Sequence, residues 1–387
     1  MQAFREEEGQ SRHPLGRPVH GAEIEVPSQT RPYNPSMSGN TREFARKVCA
    51  WQRSHGRHDL PWQGTTDPYR IWVSEIMLQQ TQVGAVVGYF GRFMDRFPDL
   101  ESLARASEDE VLQLWSGLGY YARARNLHAA ARMVVEVHGG EFPRSAQLIL
   151  GLPGIGRSTA AAIAAFAFGE RGAILDGNVK RVLARCFGVE GFPGTPDVEA
   201  GLWSLADSLL PCGRNPAAIE IYTQGLMDLG ATVCTRINPA CGACPLATGC
   251  VARRSGRVAE LPAPRPKKAY PTRQATWLVL RHRGEILLER RPSSGIWGGL
   301  WAFPEYAGRN LARHCRSEFG CELADHRTLP VFAHGFTHFR LEVTTLICNV
   351  SRRGRRSVGP ETRAWSAIEA ATGAAVPTPV RNVLSRL

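Results

Sequence analysis

The chain has 387 residues, of which 43% are apolar and 21% charged. That is longer than one typical hydrophobic core, so two domains are expected rather than one small module. The longest candidate apolar run, Ala160 to Phe168, falls far short of the roughly 18 to 20 residues of a spanning helix, and no apolar stretch behind a basic cluster marks a secretory signal. We expect a soluble, cytoplasmic protein. Its 47 basic and 35 acidic residues leave a net charge of +12, which favours a polyanionic partner over a membrane surface.

Residues 1–40 are rich in Pro, Ser, Gly and Glu and lack periodicity, the composition of a disordered tail. Met37 is a second candidate for the start of translation. From Thr41 to Cys250 the apolar spacing is helical almost throughout, as in Tyr69 to Met94, Glu108 to Leu114, Ala122 to Val137 and Gly201 to Leu210, which predicts an all-α domain. This segment carries 20 basic and 20 acidic side chains, so any grip on nucleic acid there rests on local placement and backbone amides, not on bulk charge. Residues 251–270, with Arg253, Arg254, Arg257, Pro262, Pro264, Arg265, Pro266, Lys267 and Lys268, read as a basic linker too proline-rich for a helix. Beyond it, Thr276 to Arg281, Glu285 to Glu289, Val331 to Phe339 and Arg340 to Val350 have strand character, and Leu311 to Phe319 reads as a helix. An α+β domain over 271–387 is expected.

Four cysteines fall as Cys234-x6-Cys241-x2-Cys244-x5-Cys250. Four thiolates in so short a loop close around a tetrahedral zinc or an iron–sulfur cluster, and spacing alone does not choose. Upstream, Leu152-Pro153-Gly154-Ile155-Gly156 separates two helical runs, the second starting at Arg157 or Ser158. The glycines permit a sharp turn, and the free amides of the second helix form a phosphate site; the plainer alternative is a tight turn between packed helices.

Glu75 lies in Ile71-Trp72-Val73-Ser74-Glu75-Ile76-Met77-Leu78. A poorly solvated carboxyl there keeps its proton near neutrality and can act as a general acid, against the plainer reading of a solvated helix-face Glu. Asp176 precedes the helical Gly177-Asn178-Val179-Lys180 and reads locally as an N-cap, with Lys180 a first-turn surface residue.

Taken together, these stretches, with Ser74-Glu75-Ile76-Met77-Leu78-Gln79-Gln80-Thr81, Gly117-Leu118-Gly119-Tyr120-Tyr121 and Asp176-Gly177-Asn178-Val179, closely resemble MutY-type adenine DNA glycosylases over residues 41–387. The resemblance implies a multidomain protein: an all-α helix–hairpin–helix glycosylase domain of the endonuclease III superfamily with an iron–sulfur loop, then an α+β MutT (Nudix)-like domain. It implies a [4Fe–4S] cluster on Cys234, Cys241, Cys244 and Cys250, and a monomer acting on double-stranded DNA with adenine opposite 8-oxoguanine or guanine. By the same resemblance Glu75 is the proton donor and water activator, and Asp176 steadies the cation-like sugar. Trp62 and Gln224 line the adenine pocket, Gln80 and Tyr120 wedge the duplex, and Leu152, Gly154, Gly156 and Ser158 belong to the DNA-binding hairpin. Ser158 stands where lyases of the superfamily carry a nucleophilic Lys, implying base removal without strand cleavage.

In the C-terminal domain the resemblance implies 8-oxoguanine recognition by Phe336, Thr337 and His338, with Thr337 where Ser is commoner. A MutT hydrolase needs several glutamates on one helix to hold magnesium, and Arg313 to Gly320 supplies only Glu318. Trp297 to Pro304 reads as core, and Arg352, Arg353, Arg355 and Arg356 as an exposed basic turn.

Overall fold

The computed structural model describes residues 38–213, 215–266, 270–354 and 362–387. The tail before Ser38, Lys267, Lys268, Arg355 and Arg356 therefore lie outside the described residues. The first helix runs Ser38–His55, so its opening residues belong to what the sequence assigns to the tail.

The helical part is built on two cores. One gathers Trp72, Val73, Met77, Phe90, Phe93, Trp115, Leu127 and Ile163; the other joins Phe44, Val48 and Trp51 of the first helix to Leu175, Val179, Leu183, Tyr222 and Leu226. The helix Arg157–Phe168 belongs to both: Ala160, Ile163 and Ala164 face one core, Ala161, Ala162 and Ala165 the other. Its small side chains let two layers pack closely on opposite faces.

Termini follow local chemistry. Asp67 caps the helix Pro68–Leu78 by accepting from the Tyr69 amide, with proline in its first turn,. Ser107 and Glu110 form a reciprocal capping box on Glu108–Trp115,. The helical run expected from Tyr69 to Met94 is broken: Pro68–Leu78 and Val83–Arg96 are separate helices, and Gln80 between them has φ +56°. No glycine or proline announces this break.

The basic stretch after Cys250 differs from expectation. Val251–Arg254 is a short helix, and Leu261 is buried in the second core. The prolines begin only at Pro262, so the residues just after Cys250 are free to form a helical turn, and Arg257 is paired with Glu190 and Glu260.

The C-terminal part is a six-stranded mixed sheet: β1 Thr272–His282, β2 Glu285–Arg290, β3 Trp301–Ala302, β4 Cys321–Gly335, β5 Arg340–Arg353 and β6 Arg363–Ala367. Its order is β3-β2-β1-β5-β4, with β6 on β2; β1 and β5 run parallel and the other pairs antiparallel. Period-two alternation sorts β1 onto two faces. Leu278 and Leu280 pack with Cys315 and Phe319 of the helix Leu311–Phe319; Trp277 and Val279 pack with Val380 and Leu384 of the C-terminal helix Thr378–Leu384. Strand β4 begins ten residues before the expected Val331, and residues 336–339 form a turn. Arg353, expected in an exposed basic turn, lies at the end of β5 paired with Glu285.

The sheet domain and the helices share packing. Leu300 and Ala375 are buried in the first helical core, Arg290 is 2.7 Å from Asp109, and Arg125 donates to the Gly298 carbonyl. Part of Trp297 to Pro304, read as core, is thus core shared between the two domains. Among the described residues no helix is long and apolar enough to cross a membrane.

Candidate active site

Where the two helical cores meet, a cavity of about 400 Å³ opens, lined by Trp62, Ser74, Glu75, Phe166, Gln224 and Arg57 among others. Three of the residues singled out from the sequence, Trp62, Glu75 and Gln224, thus converge on one space. Trp62 is also core: it is 7% exposed and its ring meets Phe90 edge-on at 5.4 Å.

Glu75 sits one turn from the end of its helix, between the fully packed Trp72 and Met77, and the part left open faces the cavity. Burial drives its carboxyl up to about 8, and the charge of Asp176 pushes the same way,. Asp176 is not on the cavity lining. It caps the helix Gly177–Phe187, accepting from the Val179 amide at 2.7 Å, so the local N-cap reading is correct. Burial raises its carboxyl too, opposed by the Val179 and Asn178 amides and by Arg181. Burial is the larger cause of the rise at Glu75, and the Asp176 charge adds to it. Two neighbouring carboxyls in unlike surroundings can serve as an acid and an anion in one reaction.

Sequence reasoning missed the scaffold beneath Gln224. Its amide donates to Asp228 Oδ1 at 2.9 Å, and Asp228, fully buried, also accepts from the Arg57 backbone amide and side chain at 2.9 and 2.7 Å. Arg57 and Asp228 are 171 positions apart. The only signal was a charge inside the apolar Leu226-Met227-Asp228-Leu229.

Arg123, to which the sequence reading gave no role, holds two loops together. Its guanidinium donates to the carbonyls of Ile76, Met77 and Gln79 at 2.8, 2.8 and 2.6 Å, to Thr81 Oγ1 at 3.0 Å and to the Gly119 carbonyl at 3.2 Å. It thereby caps the Glu75 helix and ties together the loops that carry Gln80 and Tyr120. Both of these are exposed with left-handed backbones, φ +56° and +50°, a conformation side chains larger than glycine hold only when their surroundings enforce it.

In the hairpin, Gly154 has φ +77°, and a Cβ there would meet Asn126 at 2.7 Å; only glycine fits. Gly156 is the N-cap of the helix that starts at Arg157 and, having no side chain, caps none of the first-turn amides,. Leu152 is buried, so its part in the hairpin is packing and backbone. Ser158 Oγ accepts from the Leu175 amide at 2.9 Å, one residue before Asp176. Lys180 pairs with Glu199 at 2.7 Å.

Cys234, Cys241, Cys244 and Cys250 line one pocket together with Cys186, Arg185, Val182 and Leu229. A set of four thiols in apolar surroundings suits iron–sulfur chemistry. Arg185, only 3% exposed, donates to Cys234 Sγ at 3.5 Å, the Thr235 carbonyl at 2.7 Å and the Leu261 carbonyl at 2.8 Å. Its fixed positive charge offsets the negative charge that four thiolates bring. Arg181, on the same helix, donates to the Cys234 carbonyl at 2.7 Å. A single helix therefore runs from Asp176 to the cysteine loop.

In the sheet domain Phe336 stacks on Phe339 at 4.5 Å and packs on Trp297 at 5.4 Å, while Thr337 and His338 stand exposed at the turn tip with Thr337 Oγ1 2.8 Å from His338 Nδ1. Glu318 is held by Arg363.

Comparison with known proteins agrees with this arrangement. Residues 73–208 match the HhH-GPD superfamily of base excision DNA repair proteins, 234–250 the iron-sulfur binding domain of endonuclease III, and 275–386 the NUDIX domain. The adenine DNA glycosylase of Buchnera aphidicola subsp. Acyrthosiphon pisum (strain APS) is 33% identical, over 88% of this chain and 96% of its own. That of Homo sapiens is 36% identical, over 88% of this chain and 73% of its own. Among solved structures, a thermostable thymine-DNA glycosylase aligns with 56% of this chain and 99% of its own at a TM-score of 0.50 and 31% identity. The protein is a DNA glycosylase with an iron–sulfur binding loop and a Nudix domain, and it belongs to the adenine DNA glycosylase family.

Proposed function

We propose that the protein removes adenine mispaired with 8-oxoguanine or guanine from double-stranded DNA by hydrolysing the N-glycosidic bond, and that it leaves the strand uncut. The observation that carries this reading is the Glu75 carboxyl, held protonated to about 8 at the wall of a cavity shared with Trp62 and Gln224. Adenine leaves poorly as an anion, so bond cleavage needs a proton on the base and negative charge near the sugar. Glu75 donates the proton and then activates water; Asp176 steadies the electron-poor sugar. The extruded adenine occupies the cavity against Trp62, with Gln224, oriented by Asp228, at its polar edge. Gln80 and Tyr120 fill the space left in the duplex, and the amides from Gly154 to Ser158 hold a phosphate. Phe336, Thr337 and His338 meet the partner base, Phe336 anchoring the turn and the Thr337 hydroxyl offering a hydrogen bond.

Strand cleavage requires an amine to form a Schiff base. Ser158 supplies none and its hydroxyl is engaged by Leu175, while Lys180 is paired with Glu199. The same reasoning argues against a nucleotide hydrolase in the sheet domain, where Glu318 is the sole acidic residue of its helix and is bound to Arg363. The test is a duplex oligonucleotide carrying one adenine opposite 8-oxoguanine. Breaks at the adenine are expected only after alkali; equal cleavage without alkali would restore a lyase, and no cleavage at all would remove the adenine reading.

We further assign the cluster as [4Fe–4S], held by Cys234, Cys241, Cys244 and Cys250, with a structural part: it fixes the loop on which Arg181 and Arg185 anchor the Asp176 helix. Arg185→Leu leaves the thiolates without their buried countercharge. The variant is expected to purify with less iron and acid-labile sulfide per chain than the parent, and iron content equal to the parent's would refute the role of Arg185.

A further inference from the structure

We propose that Arg381, in the last helix of the sheet domain, is a positioning residue for the duplex-wedging Tyr120 and acts on it through Ser116. This rests on the reading of Tyr120 as the wedge.

The segment from Ser116 to Tyr120 joins the helices Glu108–Trp115 and Ala122–His138. Gly117, Gly119 and Tyr120 all have left-handed backbones, φ +103°, +79° and +50°. The two glycines take this conformation freely, but Tyr120 keeps it only if the loop around it is held. Arg123 and the Trp115 indole hold the far end, each donating to the Gly119 carbonyl, at 3.2 and 3.1 Å.

The near end is held from the other domain. Ser116 is 6% exposed; its hydroxyl donates to the Val376 carbonyl at 2.8 Å and accepts from Arg381 Nη2 at 2.7 Å. Arg381 is itself fixed by donating from Nε to the Thr372 carbonyl at 3.2 Å. One turn earlier, Gln113 donates to the Gly373 carbonyl at 2.8 Å. Tyr89 donates to the Ser116 carbonyl at 3.1 Å, and its hydroxyl would lie 2.3 Å from a Cβ at residue 117. The near end of the wedge loop is thus clamped by residues 373–376 and Arg381.

The same domain carries the partner-base turn. Phe336 packs on Trp297, and the adjacent Gly298 carbonyl accepts from Arg125, two residues after Arg123 on the helix that follows Tyr120. The partner-base turn and the wedge are therefore joined to one framework at both ends of the loop. Removing the Arg381–Ser116 link should loosen Tyr120 while leaving Glu75, Asp176 and the cavity in place.

The test uses the full-length holoenzyme. In Arg381→Met, loss of a charged donor to a buried hydroxyl is expected to lower single-turnover adenine release opposite 8-oxoguanine roughly tenfold. The fluorescence of 2-aminopurine placed beside the partner base, which reports unstacking on binding, is expected to rise less than with the parent. Ser116→Ala should reproduce both effects, and Arg381→Lys should recover part of each. In a Tyr120→Ala background Arg381→Met should cost no more than about twofold, because the group it positions is gone. Equal losses in both backgrounds, or an unchanged 2-aminopurine signal in Arg381→Met, overturn the proposal. The fluorescence reads binding without cleavage, so it distinguishes this failure from a failure of the adenine assignment.

Discussion

Replacing Glu75 by Gln is expected to slow adenine release on the order of 10³-fold, the usual worth of a positioned general acid, while duplex binding persists. The amide has nearly the same shape and hydrogen-bonding reach but no proton to give. In the parent enzyme the same chemistry sets a pH limit: release should fall as pH rises through about 8, where the Glu75 carboxyl gives up its proton. A stability measurement separates this from unfolding. The folded state keeps the proton to about 8, whereas the unfolded chain releases it near 4.5, so folding takes up a proton between those values. The associated stability is fully present below 4.5 and is lost as pH rises through about 8. Glu75→Gln removes this dependence, and at pH 9 the variant should resist urea better than the parent. A variant that is inactive because it is unfolded would show the reverse. Asp176→Asn is the companion: asparagine caps a helix as well as aspartate, so the Val179 hydrogen bond and the fold should survive. Loss of the charge should still cost on the order of 10² to 10³ in rate, the range for removing one electrostatic stabiliser. Full activity in Asp176→Asn would mean that Asp176 is a cap and nothing more.

Why some of this was legible and some not follows from where the information lies. Glu75 could be found because Ile71, Ile76 and Leu78 surround it on its own helix, whereas Asp176 announced itself locally only as an N-cap and its place in the site came from the family resemblance. The apolar Ala173, Ile174 and Leu175 just before Asp176 pack into the second core, whose other members come from distant parts of the chain. The Arg57–Asp228–Gln224 network left one short-range sign, the charge of Asp228 in an apolar run, because Arg57 meets Asp228 only once distant segments pack together. In the sheet domain the helix Leu311–Phe319 was read correctly from its spacing. The first ten residues of β4 were not, because that strand lies at the sheet edge and Glu322 to Leu329 are largely exposed, so polar residues replace the alternation that marks a half-buried strand. The break at Gln80 was hidden for a different reason. A left-handed Gln is disfavoured by its own sequence and persists because Arg123 pins the carbonyl on one side and the hydroxyl of Thr81 on the other.

Arg123→Met should therefore damage both stability and catalysis. Methionine fills the stem's volume and keeps contact with Trp115, over which the guanidinium now lies at 5.4 Å, but it donates nothing. The carbonyls of Ile76, Met77, Gln79 and Gly119 lose a charged partner together, and a buried acceptor left unpaired costs about 1 to 3 kcal/mol. Water can reach the exposed side of the loop and recover part of this, so a loss of about 3 kcal/mol in unfolding free energy is expected. The kinetic effect should exceed what partial unfolding explains. With the end of its helix uncapped, Glu75 loses its fixed distance to the base, and Gln80 and Tyr120 are freed to relax toward ordinary backbone angles. Single-turnover release measured well below the melting temperature should drop at least about a hundredfold, the scale on which a displacement of about 1 Å acts. Arg123→Lys discriminates between charge and geometry. A lysine keeps the cation but can reach only part of a set of acceptors that spans two loops, so it should restore stability more than rate. If lysine restored both fully, a buried positive charge would suffice, and the five-bond tie between the Glu75 helix and the two wedge loops would have no part in catalysis.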